Sequence, residues 1–95
     1  MRRGTNGAWG SDYDHVPSNV GANVHHYRRT QGFTQERLAA LVGIEVKTLQ
    51  DIEHGRGNPT ARVLAALTAE LRIDVNSLFD PRDLPERKRG RPRNL

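Results

Sequence analysis

The stretch "QERLAALVGIEVKTLQDIEH", residues 35–54, decides the fold. Its apolar residues recur at helical spacing on both sides of Gly43, with Leu38, Leu41 and Val42 before it and Val46, Leu49 and Ile52 after it. A left-handed backbone costs glycine least, so Gly43 predicts a tight turn between two short helices that cross at a large angle. Ala39 is small where the first helix must pass close to the second. With Ile44, Leu49 and Ile52 anchoring the second helix from beneath, Glu45, Val46, Lys47, Gln50 and Asp51 fall along its outer side. A helix edge offered in this way suits a major groove about 12 Å wide.

Outward from this pair, further helices are expected. Ser18, after Pro17, is a good N-cap for a helix carrying Val20, Val24 and Tyr27 and stopped by Gly32. Thr34 caps the helix that begins at Gln35, and Gly55 ends the next, at about 45–54. Thr60 caps a fourth with Val63, Leu64, Leu67 and Leu71 inward. Asp74 caps a short fifth that closes with Leu78 and Phe79, before Pro81 and Pro85 stop regular structure. Strand signals and internal repeats are absent. The expectation is an all-α, compact five-helix bundle over residues 18–79, between a flexible arm, 1–17, and a basic tail, 80–95. A chain of 95 residues has room for one core.

The formal charge of +4 is unevenly placed. Residues 18–79 hold seven Lys/Arg against six Asp/Glu, whereas residues 80–95 hold six against three. Thirteen of the fifteen cations are Arg, whose planar fork suits phosphate and base edges, so the charge favours nucleic acid as partner. With no cysteine, a disulfide framework or zinc-thiolate site is excluded. No apolar run approaches the ~18–20 residues of a membrane span, and residues 1–17 lack the apolar centre of a signal peptide. A cytoplasmic protein is expected. His15, His25, His26 and His54 have no accompanying carboxylate or thiol cluster, which argues against a metal site. Neither a phosphate-binding glycine loop nor a nucleophile–base set is present, so no cofactor and no enzymatic activity are expected.

"GFTQERLAALVGI", "LQDIEHGRGNPT" and "DVNSLF" together resemble the Cro/repressor-type (XRE-like) helix-turn-helix domain, the λ-repressor-like fold of bacterial and phage regulators, across residues 20–79. The resemblance implies double-stranded DNA as partner, a homodimer on a two-fold operator, and a transcriptional regulator, by expectation a repressor. It implies that Glu45, Val46, Lys47 and Asp51 read bases. It also implies phosphate contacts from Gln35, Arg28, Thr48, His54, Arg56 and Asn58. Arg28 and Glu53 match a pair that ties the first helix to the recognition helix. Three positions depart from the family pattern. Glu45 stands where Ser or Thr caps the recognition helix, Arg37 replaces a capping-box Glu, and Asp51 adds a second anion to the reading face.

The tail contains Arg89-Gly90-Arg91-Pro92, similar to the core of the AT-hook, which lies in the minor groove of A/T-rich DNA. Gly90 removes a side chain that would strike the groove floor, Pro92 enforces an extended backbone, and the arginines suit a narrow electronegative groove. Two rival functions remain at this stage. An antitoxin would also need a protein partner held by the arm or tail, and a protein-interaction module would lack salt-dependent DNA binding.

Overall fold

The computed structural model describes residues 6–84, with side chains from His15 to Leu84. Four α-helices follow one another: α1 (Asn6–Thr30), α2 (Gln35–Val42), α3 (Val46–Glu53) and α4 (Ala61–Leu71). A 3-10 turn at Val75–Phe79 ends the sequence of elements, and no strand occurs among the described residues.

The interior helix ends form at the positions their sequences specify. Thr34 Oγ1 accepts from Arg37 N at 3.0 Å and Thr60 Oγ1 from Val63 N at 3.1 Å, each satisfying an amide that the first helical turn leaves unpaired. Gly43 is left-handed, with φ 85°, and its N–H and that of Ile44 both return to Ala39 O. Leu38, Val42, Leu49, Ile52, Val63, Leu67, Leu71 and Leu78 close one core with Val20 and Val24 of α1.

Several expectations need correction. The first helix begins at Asn6, not Ser18, so the boundary between arm and domain falls inside α1. Pro17 lies inside α1, where it has no N–H to donate to the carbonyl one turn earlier. Ser18 instead lies against the turn at Gly55. The fifth helix is a single 3-10 turn. Asp80, which precedes Pro81, is held extended at φ −61° and ψ 140°, leaving too few residues for an α-helix. Asp74 adopts an N-cap backbone, but its side chain makes no capping bond. Leu41 (37% exposed) and Phe79 (42%) face solvent, since Ala39 and Leu78 take the inward positions beside them.

Two side chains of α1 set the packing in ways the apolar pattern does not reveal. Gly21 is the crossing point with α3, where an added Cβ would overlap the carbonyl oxygen of Ile52. Asn23 is fully buried; its amide nitrogen shares two N–H groups among Asn19 O, Leu78 O and Asp80 O at 2.8–2.9 Å, and its oxygen accepts from Arg82 Nε at 2.6 Å. It fastens the 3-10 turn to α1 and satisfies carbonyls that would otherwise be stranded.

Candidate nucleic-acid interface

The recognition-type helix α3 has two unlike edges. Its inner edge carries Leu49 and Ile52 into the core and ends at Glu53, a residue only 1% exposed. Arg28, 7% exposed, meets it with both arms of its fork: Nε donates to Oε2 at 2.6 Å and Nη2 to Oε1 at 3.1 Å. His25 Nδ1 reaches Oε1 at 3.0 Å and Gln35 Nε2 donates to the same oxygen at 3.2 Å. Gln50 Nε2 donates on to Gln35 Oε1 at 3.4 Å. Burial pushes the Glu53 carboxyl up, but the hydrogen bonds from Arg28, His25 and Gln35 outweigh it and hold the group below its ordinary value. α1, α2 and α3 are thereby tied at one carboxylate, which sets the angle at which α3 is offered.

The bridge between Arg28 and Glu53 inferred from the sequence is thus formed. Phosphate contact by Arg28 does not fit its surroundings, because its remaining terminal nitrogen, Nη1, donates to Phe33 O at 2.8 Å and the side chain is enclosed. Gln35 is half-buried with both ends of its amide engaged. His25, weighed from the sequence only as a metal ligand, belongs to this network. The only sequence signal for it is its helical spacing, three residues before Arg28 on the same helix.

The outer edge is exposed. Glu45, Lys47 and Thr48 stand in solvent, while Val46 is half-buried and packs against the core. Glu45 occupies the N-cap position of α3 without making a capping hydrogen bond, so its carboxylate is not spent there. Lys47 Nζ approaches both oxygens of Asp51, at 3.3 and 3.4 Å, one helical turn along. Arg56 Nη2 donates to Asp51 Oδ1 at 3.2 Å. Two left-handed glycines, Gly55 (φ 77°) and Gly57 (φ 84°), fold the chain back after α3, and Arg56 N donates to Asp51 O at 2.9 Å. The hydrogen bond from Lys47, joined by that from Arg56 and by both positive charges, holds the Asp51 carboxyl below its ordinary value.

Beyond this cluster a shallow cleft is bordered by Thr48, Asp51, Gly57 and Asn58, which places three expected contact residues together. His54 is half-buried at the C-terminus of α3, with Nδ1 enclosed and unpartnered, so only its outer ring edge can meet a ligand. Among the described residues no group of three or more His, Cys, Asp or Glu could hold a metal, and no helix is long and apolar enough to cross a membrane. Arg89, Gly90, Arg91 and Pro92 lie outside the described residues.

Residues 24–78 match the sequence family described as helix-turn-helix. The chain is 38% identical over 64 residues to the HTH-type transcriptional regulator y4dJ of Sinorhizobium fredii, covering 67% of this chain and 83% of that protein. It is 33% identical over 61 residues to the HTH-type transcriptional regulator YazB of Bacillus subtilis, covering 64% and 88%. The solved structure of the restriction-modification controller protein C.AhdI from Aeromonas hydrophila superposes with a TM-score of 0.63 at 27% identity, over 66% of this chain and 96% of that one. With the family match spanning more than half of the sequence and a fold in which two helices meet at Gly43, the chain belongs to the helix-turn-helix family.

Proposed function

We propose that the chain is a DNA-binding transcriptional regulator, a repressor, that offers the outer edge of α3 to the major groove. The observation that carries this reading is the division of α3 itself. Its inner edge is locked by Glu53, while Glu45, Lys47 and Thr48 stand exposed beside Arg56 and Asn58. The helical body that α1 enters and the 3-10 turn closes forms the DNA-binding domain, and the basic residues of 80–95 add to it, acting in the cytoplasm on the same duplex.

Lys47 donates to guanine O6/N7, Glu45 accepts from a cytosine amino group, and the outward part of Val46 meets a thymine methyl. Thr48, Arg56, Asn58 and the outer edge of His54 position the domain on phosphates. Gln35 contributes at the start of α2, and Arg28 supports it from within. Two copies on a two-fold operator would place their half-sites about 10–10.5 base pairs apart, centre to centre. Selection of bound duplexes from a random pool, followed by footprinting, tests this. A symmetrical site is expected, and a single unsymmetrical half-site bound by one chain would defeat the dimer.

The Arg89-Gly90-Arg91-Pro92 segment adds a minor-groove contact in this reading. Full-length protein should prefer A/T-rich to G/C-rich flanks around one selected site, because the guanine amino group obstructs the groove floor. Removing residues 86–95 should abolish that preference. It should also make the slope of log K against log salt shallower by roughly 3–4, at about 0.9 per phosphate neutralised. Equal affinity of the full-length protein for both flanks would leave only a general polybasic attraction.

A further inference from the structure

We infer that Asp51 is a specificity-determining residue that restrains Lys47 and Arg56 until matching bases take Lys47 from it and a phosphate takes Arg56. This deepens the proposed DNA-binding role of α3 and rests on it. The carboxylate lies within 3.2–3.4 Å of one nitrogen from each cation, so a base-reading lysine and a phosphate-positioning arginine share one internal anion. The arrangement is built in. Lys47 and Asp51 are one turn apart on α3, and the glycine-folded loop returns Arg56 to the same carboxylate through its own backbone bond to Asp51 O. Lys47 remains 77% exposed and can swing away without disturbing the core.

When Lys47 leaves for a base, Asp51 loses a donor and its carboxylate faces the groove. The exchange balances where the bases supply both an acceptor for Lys47 and a donor for Asp51. A guanine O6/N7 beside an accessible cytosine amino group does so. Elsewhere the freed carboxylate meets base acceptors and phosphates, so leaving the clamp is unfavourable and the cations stay paired. Asp51 therefore weakens binding to unmatched DNA more than it weakens binding to the matched site.

The test compares full-length wild type, Asp51→Asn and Asp51→Glu. Each is titrated across salt concentrations against the duplex selected by wild type from a random pool and against a scrambled duplex of equal composition. Asp51→Asn should bind the scrambled duplex roughly tenfold more tightly at ~0.1 M salt, with a salt slope steeper by about 0.9. Its affinity for the selected duplex should rise less or fall, so the ratio of the two affinities shrinks. Asp51→Glu, which keeps the charge, should restore the wild-type slope. Wild-type selectivity and slope in Asp51→Asn would overturn the role of Asp51 while leaving DNA binding intact. Absence of salt-dependent binding by wild type to either duplex would overturn the DNA-binding reading, and this one with it.

Discussion

Asp51 and Glu53 lie two residues apart on one short helix, carry the same charge, and do opposite work. Glu53 is sealed among Arg28, His25 and Gln35, with its oxygens bonded to side chains of α1 and α2. Asp51 lies at the surface and touches two cations that are themselves mostly exposed. The inner carboxylate has no other place to go, so its pairing is architecture. The outer one competes continually with water and salt, so its pairing is weak and can be exchanged for a ligand. A helix that must read DNA needs both: one edge that cannot move and one that can.

The largest break in this comparison comes from the inner edge. Removing Glu53 strands the Arg28 guanidinium in a site with little solvent, a loss of about 3–5 kcal/mol for such buried pairs. Glu53→Ala should therefore lower the melting temperature far more than Glu36→Ala, whose parent residue is exposed and outside this network. Similar melting points for the two variants would show that the Glu53 network adds no more to the fold than an exposed carboxylate does.

Next in size is Gly21→Ala. The new methyl would enter the space of the Ile52 carbonyl and force α1 and α3 apart, at a cost of about 1–3 kcal/mol for an overpacked contact. Chemical denaturation should show that loss. Unchanged stability would mean that the crossing tolerates a shift without loss.

The outer edge responds in binding rather than folding. Lys47→Ala should cost about 1–3 kcal/mol on the selected duplex and relax preference at one base pair per half-site, while Arg56→Ala weakens every sequence alike. Lys47→Ala with uniform weakening would move Lys47 from base reading to phosphate positioning.

What the sequence disclosed divides along the same line of locality. Thr34, Gly43 and Thr60 were legible because a cap or a left-handed turn is decided by a few neighbouring residues. The Arg28–Glu53 bridge was legible only through family resemblance, since 25 residues separate the partners. Gly21 and Asn23 carried no readable local signal, and His25 only its spacing from Arg28. Each is explained by an atom far along the chain: a carbonyl of α3, the carbonyls of the 3-10 turn, and a carboxylate. The left-handed Arg72 that ends α4 was hidden for a different reason, because a non-glycine residue is not expected at φ 58°. Pro17 misled in the other direction: a helix breaker by local rule, it lies inside α1.

The subtlest separation of the two carboxylates is their response to acid. Glu53 has its folded pKa held below the unfolded value of 4.5, so the folded protein binds its proton less readily than the unfolded chain does. Its contribution to stability is fully present above 4.5 and is lost as pH falls through the lower folded value. Asp51 is shifted in the same direction, but solvent and salt screen its exposed partners, so its titration barely couples to folding. Unfolding measured from neutral pH into this acid range should show a decline in wild type that persists in Asp51→Asn and flattens in Glu53→Gln, after allowance for the lower starting stability of the latter. If Asp51→Asn flattened the decline as much as Glu53→Gln, the outer cluster would be part of the fold, and the mobility that lets Lys47 exchange Asp51 for a base would have to be abandoned.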